Sequence, residues 1–303
     1  MAPTAQLVAI FGPTAVGKTA VAVALAERLR ERGEDPVAIS CDAIQVYRGL
    51  ETISGAPAAA QREALEHRLV GIADPAEEFS AGRFAALAQG EIDQLLGHGR
   101  LPILVGGTGL YMRAVLSRIE LRPPVTPAVR SAVEGEISER GGTAVHAELE
   151  GDVAAKIHPN DSKRIARALE LQRSGIDPPE RSDELWTAEL RWPTLMVGLI
   201  CGRELLLARI EERVDEMAAS GAGEEARAAA ALGASRTARA ALGFEAFAEG
   251  DLEAVKVAHR RYARRQMTWL RKTPGIQLVD RGTASSAEAA RRIESLLGNT
   301  GPR

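Results

Sequence analysis

The sequence predicts a mainly parallel α/β sheet with helices on both faces, interrupted by an all-helical insertion. Three observations carry this. Short apolar runs of strand length alternate with helical stretches, the first run feeds a glycine-rich loop, and strand candidates vanish between Pro123 and about Pro193. LVAIF (7–11) reads as a buried strand, and KTAVAVALAERLRERG (18–33) follows as a helix ending at Gly33. PVAISCDA (36–43) and LPILVGGTG (101–109) are the second and third strands, with a helix over 80–99 between them. TPAVRSAVEGEISERGG, TAVHAELEGDVAAKI and HPNDSKRIARALELQRSG are helical in pattern, which marks 123–193 as an insertion domain. Strands resume with TLMVGLIC (194–201), then a helical block spans roughly 203–272, and GIQLVD (275–280) is the last strand. The core is thus expected to comprise 1–122 and 194–303. Ligands of such sheets bind beyond the carboxyl ends of the strands, so GPTAVGKT, Asp42 and GGTG should converge on one crevice.

Composition narrows the class. The 303 residues are 45% apolar and 26% charged, as in ordinary soluble globular proteins. A formal net charge of −3 gives no global nucleic-acid signature, so any basic footprint must be local. Cys41 and Cys201 lie in separate apolar runs without metal-ligand spacing, and are expected to be buried free thiols of a reducing compartment. No apolar run approaches the roughly 18 residues of a membrane span. The start, MAPTAQLVAIFGPT, lacks the features of a secretory signal, so a cytoplasmic protein is expected, with a monomer as the default.

Gly12, Pro13, Thr14, Ala15, Val16, Gly17, Lys18 and Thr19 have the spacing G-x-x-x-x-G-K-T, placed between strand and helix. This is the P-loop: backbone N–H groups cradle phosphate oxygens, Lys18 neutralises them, and the Thr19 hydroxyl can reach Mg²⁺. The sheet is therefore of the P-loop NTPase-like kind. The loop senses phosphates only. PILV ends in Gly106-Gly107-Thr108 rather than an acid, which counts against an ATPase motor or a GTPase and leaves a small-molecule kinase open.

Asp42 closes the second strand and points to the predicted crevice. It is either a general base or a residue that caps the next turn or meets Mg²⁺ through water. KVAHRRYARRQMTWLRK (256–272) carries seven basic residues and no acid, with Tyr262, Gln266 and Trp269 on another face. Such a helix either follows a phosphate backbone or is a solvated charged face. A second basic cluster, Lys163-Arg164 with Arg167, falls in the insertion. Arg209 and Arg213 share a helix face at i,i+4, where ion pairs with Glu212, Asp215 or Glu216 compete with a lid-type arginine over a diphosphate.

GPTAVGKT, SCDAIQVYRGL (40–50), PILVGGTGLY (102–111), HPNDSKRIARALE (158–170), RIEERVDEMAASG (209–221) and RRQMTWLR (264–271) together resemble one family, the tRNA dimethylallyltransferases or isopentenyl-tRNA transferases. The matches run in order from about residue 7 to 272. The resemblance implies Mg²⁺-assisted transfer of a dimethylallyl group from dimethylallyl diphosphate to N6 of adenosine 37, beside the tRNA anticodon. The P-loop then holds the donor's diphosphate rather than ATP. By the same resemblance Asp42 is the base, Gln45 in the Asp42-Ala43-Ile44-Gln45 stretch reads the flipped-out adenine, and Thr19 and Arg213 bind the leaving diphosphate. Thr108 and Arg130 match the reaction channel and a tRNA contact. Lys163, Arg164, Ile165, Ala166 and Arg167 match one tRNA-contacting segment, and Arg265, Gln266, Trp269 and Arg271 another. The chain departs from the family pattern at Ala43, where serine is usual, and at LETISGAP (50–57), which lacks a lysine. Two rivals remain: a P-loop small-molecule kinase, which leaves the basic helix and HPND unexplained, and an RNA-binding protein with a dead P-loop, against which intact Lys18, Thr19, Asp42 and Arg213 stand.

Overall fold

The computed structural model describes residues 5–118, 122–177 and 189–298. Its contacts divide the chain into a core unit, Met1–Arg118 with Leu185–Arg303, and an inserted unit, Ile119–Glu184. The core opens with β1 (Leu7–Phe11), α1 (Lys18–Glu31), β2 (Pro36–Cys41), α2 (Glu51–Ser54), α3 (Ala59–Ala64), β3 (His67–Arg68), α4 (Ala81–Gly97), β4 (Leu101–Gly106) and α5 (Gly109–Leu116). The inserted unit supplies α6 (Pro127–Arg140), α7 (Gly142–His146), α8 (Asp152–Lys156) and α9 (Ser162–Arg173). The core then resumes with β5 (Thr194–Ile200), α10 (Arg203–Ala219), α11 (Ala222–Ala231), α12 (Arg236–Arg239), α13 (Phe244–Glu249), α14 (Leu252–Lys272), β6 (Gln277–Asp280) and α15 (Ser286–Gly298).

The six strands form one parallel sheet in the order β3-β2-β4-β1-β5-β6. β1 is central and every one of its five residues is buried, which is why it reads as an unbroken apolar run rather than an alternating one. Its register runs from Val8 opposite Ile103 to Phe11 opposite Gly106, and from Leu7 opposite Thr194 to Phe11 opposite Gly198. From β1 the chain crosses over β4 to reach β2, so the strand order reverses at β1 and β4 and leaves a crevice at their carboxyl ends. One face is sealed by α1 and α15: Val21, Leu25, Ala290 and Ile293 pack with Val8, Ile10 and Val197.

The structure trims several expected elements. β2 stops at Cys41 and β4 at Gly106, two and three residues short of the sequence reading, because Asp42 and Gly107 leave the ladder to form the site. β3, a two-residue strand paired to β2, was not expected: His67 and Arg68 are polar and too few to make a pattern. The block at 203–272 resolves into five helices, α10 to α14.

The inserted unit has its own core of Val133, Val145, Leu149, Ile165 and Leu169. Asp161 caps α9 by accepting from the Arg164 N–H at 3.2 Å, and His158 Nδ1 accepts from Asn160 N–H, so HPND is a turn that launches this helix. Its bounds differ from the expected 123–193. Arg167 donates to the carbonyls of Arg122 and Pro123, tying them to α9. At the other end, Arg191 N–H donates to Leu116 O at 2.7 Å, Trp192 Nε1 to Asp93 on α4, and Gln6 N–H to Pro193 O, which assign 191–193 to the core.

Candidate active site

The crevice holds a cavity of about 970 Å³, lined by the P-loop, the start of α1, the turns after β2 and β4, the 51–62 segment, and the facing sides of α10 and α14. Phe11 ends β1, and the chain loops through Ala15, whose φ of 63° is left-handed without being a glycine, before α1 begins at Lys18. Such backbone strain is characteristic of a loop shaped for a ligand. Val16 is wholly buried and anchors the loop, so the loop's contribution at that position is its backbone. Lys18 Nζ folds back onto the carbonyls of Gly12 and Pro13 at 3.0 and 2.9 Å. Burial pulls its ammonium down to about 7; Arg213 adds to that pull and Asp42 opposes it. A bound phosphate would reverse the balance.

Asp42 divides its carboxylate between two tasks. Oδ1 accepts the N–H groups of Ile44 and Gln45 at 2.9 and 3.4 Å, closing the turn after β2. Oδ2 makes no hydrogen bond among the described residues, and Asp42 lines the cavity. The turn cap and the base are therefore compatible readings of one side chain. Gln45 is held at both ends of its amide, accepting from Ser40 Oγ at 2.6 Å and donating to Gly55 O at 3.2 Å.

Arg213 enters the cavity from α10. Its Nη2 donates to Gly55 O at 3.4 Å, while its Nε is buried without a partner. Burial holds the guanidinium below its usual value, with Asp42 and Glu216 acting the other way. Arg209, by contrast, donates to the carbonyls of Arg281 and Gly282 and makes no contribution to the cavity lining. The ion pairs within α10 that the spacing allowed are realised for neither arginine.

At the turn after β4, Thr108 Oγ1 meets the Tyr262 hydroxyl at 3.1 Å, and that hydroxyl also donates to Gly107 O at 3.3 Å. Burial and the Asp42 charge raise the Tyr262 hydroxyl above its ordinary value, so it stays protonated. Arg265 lies over the Tyr262 ring at 5.5 Å and lines the cavity.

Thr14, Ala15, Gly17, Lys18, Thr19, Asp42, Ala43, Ile44, Gln45, Thr108 and Arg213 all face this cavity, as does Arg265; Gly12, Pro13, Trp269 and Arg271 do not. Four of the expected tRNA-contacting residues are engaged within the chain. Gln266, on the cavity wall, is 3% exposed and engages its amide with Thr14 N–H and Gly107 O. Trp269 packs against the backbone of Gly109, where a β-carbon would not fit. Ile165 is a core residue of the inserted unit with no exposure, and Arg167 is spent on Glu170 and the 122–123 backbone. Arg130 lies 3.8 Å from the same Glu170, so this buried acid organises both arginines. Lys163 and Arg164 remain exposed on α9, and Ala166 is partly buried against the unit's core.

The basic run on α14 is also partly spent. Lys256 pairs with Asp215 at 2.8 Å and Arg260 with Glu211 at 3.2 Å, both on α10. Arg261, Arg264, Arg265 and Arg271 are exposed. Sequence reasoning missed His259, which is buried on the cavity wall, donates from Nδ1 to Val255 O at 3.0 Å, and is lowered to about 4 by burial. Its spacing with Tyr262 and Gln266, three and seven residues, was the available signal.

A parallel sheet whose glycine-rich loop opens on a cavity shared with a half-spent carboxylate and a buried arginine defines an enzyme of the P-loop NTPase-like fold. Within that class the chain belongs to the IPP transferase family: the model of that description matches residues 45–273, and a second, described as isopentenyl transferase, matches residues 5–72. A protein named tRNA dimethylallyltransferase from Anaeromyxobacter sp. (strain Fw109-5) is 43% identical over 96% of this chain and 99% of its own. One of the same name from Symbiobacterium thermophilum is 36% identical over 98% and 96%. The crystal structure of a full-length tRNA isopentenylpyrophosphate transferase from Bacillus halodurans superposes with a TM-score of 0.70 at 32% identity, covering 97% of this chain and 96% of that one. A eukaryotic dimethylallyltransferase seen acting on tRNA superposes with a TM-score of 0.77 at 25% identity, covering 97% and 79%.

Proposed function

We infer that the chain is a tRNA dimethylallyltransferase, moving a dimethylallyl group from dimethylallyl diphosphate to N6 of adenosine 37 in tRNA. The observation that carries this reading is Asp42: it lines the same cavity as the phosphate cradle, and its Oδ2 makes no hydrogen bond among the described residues. A P-loop small-molecule kinase would use the cradle equally well, but the relatives bear the transferase name over their full length.

The adenine N6 lone pair forms the new N–C bond at C1 of the prenyl group as the C1–O bond breaks, and diphosphate leaves with the bonding electrons. The allylic carbon tolerates positive charge, so the main demand is to stabilise the departing anion. Lys18, Arg213 and the loop N–H groups meet it in a partly desolvated site. The N6 proton passes to Asp42 Oδ2, whose orientation is fixed by the two N–H groups on Oδ1. The adenine must leave its stack to reach this point.

Among the described residues no group of three or more His, Cys, Asp or Glu side chains could hold a metal ion. The Thr19 hydroxyl lines the cavity without a protein partner, which fits Mg²⁺ held mainly by diphosphate and water oxygens. When bound there, Mg²⁺ would neutralise charge on the departing diphosphate. We read the working protein as a cytoplasmic monomer; no described helix is long and apolar enough to cross a membrane.

The test is incubation with Mg²⁺, unmodified tRNA and labelled dimethylallyl diphosphate. Label is expected in N6 of adenosine 37. Consumption of ATP with a small metabolite, and no label in tRNA, would overturn the reading.

A further inference from the structure

The hydrogen-bond ladder between β1 and β4 ends at the pair Phe11–Gly106. Beyond it the two chains separate, one into the P-loop and the other into the Gly107-Thr108 turn. Gln266 fills the gap. Its Oε1 accepts the Thr14 N–H at 2.7 Å and its Nε2 donates to Gly107 O at 2.8 Å, with the side chain 3% exposed. A side-chain amide thus imitates one further peptide rung between strands that no longer touch.

The fit is tight on every side. A β-carbon at Gly107 would overlap Gln266 Nε2 and lie 3.2 Å from Gly12 O and 3.3 Å from Lys18 Nζ. One turn earlier on α14, Tyr262 holds Gly107 O and Thr108; nearly one turn later, Trp269 covers Gly109. The turn after β4 is therefore gripped at three successive levels by one helix. Ala263 on the same helix shares an apolar cluster with Ala15 of the P-loop, and Gln266 adds the hydrogen bond that ties this grip to the loop.

We propose that Gln266 is a positioning residue for the phosphate cradle: it sets how far the P-loop opens from β4, and hence where Lys18 and the loop N–H groups converge on the donor's diphosphate. This rests on the diphosphate reading of the loop, and inorganic pyrophosphate tests it without the prenyl reaction. Thr14 N–H belongs to the scaffold of the cradle rather than its lining. The helix bearing the exposed Arg261, Arg264 and Arg265 also fixes the shape of the donor loop.

The experiment compares Q266M, which keeps the volume and removes both hydrogen bonds, with the unaltered chain. Pyrophosphate affinity by calorimetry should fall roughly 5- to 10-fold, the order expected for two lost hydrogen bonds felt at one remove. Amide hydrogen exchange at Thr14 should accelerate, and affinity for the tRNA anticodon stem-loop should stay within about twofold of the unaltered value. A Gln266 that touched tRNA would give the opposite pattern, with tRNA affinity lost and pyrophosphate binding and Thr14 exchange unmoved; that result overturns the proposal, as does no change in any of the three. Should Q266M fail to fold, Q266N, one methylene short of both partners, takes its place with the same expected pattern. Loss of prenyl transfer with pyrophosphate binding intact would count against Gln266 alone; pyrophosphate failing to bind the unaltered chain would count against the diphosphate reading itself.

Discussion

The guanidinium of Arg213 and the backbone of Gly55 occupy one space. Arg213 Nη2 donates to Gly55 O, and a β-carbon at residue 55, whose φ is +59°, would overlap the guanidinium. Gly55→Ala therefore both strains the backbone and drives Arg213 from its place. Stability should fall by about 1–2 kcal/mol in urea denaturation. Pyrophosphate affinity should fall as well, and an unchanged dissociation constant in calorimetry would show that Arg213 does not reach the diphosphate.

Asp42→Asn keeps an oxygen to accept from Ile44 and Gln45 while replacing the free Oδ2 with an amide. The turn after β2 should survive, with tRNA affinity near that of the unaltered protein. Single-turnover prenyl transfer should slow by about 10²- to 10⁴-fold, the usual span for a lost general base. A rate within a few-fold of the original would remove Asp42 from that role.

Lys18, held at about 7 when nothing is bound, gives the donor site a pH signature. Above pH 7 the free lysine is mostly neutral, and an arriving anion must draw a proton onto it. Pyrophosphate affinity should thus weaken as pH rises from 7 to 9, with net proton uptake at pH 8 seen as a buffer-dependent enthalpy in calorimetry. The stability term has its own sign. Between about 7 and the ordinary 10.5 the unfolded lysine binds more protons than the folded one, so this contribution rises with pH through that window and is absent below it.

The exposed arginines of α14 predict a salt dependence. Each phosphate they neutralise should add roughly 0.7–0.9 to the slope of log affinity for tRNA against log salt. Arg261→Gln with Arg264→Gln should flatten that slope by about 1.5 while leaving kcat at saturating tRNA unaltered. Lys256→Gln should leave the slope as it was, because that lysine is already paired with Asp215. Filter-binding titrations from low to moderate salt distinguish the two.

The strands that set the site were legible because burial on both faces makes a strand an unbroken apolar run: LVAIF and PILV could hardly be read otherwise. β3 was not, since His67-Arg68 has neither length nor apolar content. The breaks within the 203–272 block fall at Gly221, Gly233, Gly243 and Gly250, all left-handed, and glycine alone does not announce its φ. In the site, Lys18 and Asp42 followed from spacing and strand ends, whereas Arg213 needed the family resemblance to lift it above an ion-pair reading. Gln266 was visible as a residue but not as a bridge. Its partners lie 252 and 159 positions away, a relationship that helical periodicity cannot express. The pairing of Lys256 and Arg260 was hidden for a similar reason, because the acids that hold them sit on another helix.

The hydrogen bond from Arg191 N–H to Leu116 O also bears on what the insertion costs the core. It brings the core's exit and re-entry points side by side, so that the sheet meets the intervening residues as one closed loop. The entropy of closing such a loop grows only with the logarithm of its length. By that scaling, closing an insert of this size costs about 2–3 kcal/mol more than closing a short turn would. Its own hydrophobic cluster, Val133, Val145, Leu149, Ile165 and Leu169, offsets such a cost from within the insert.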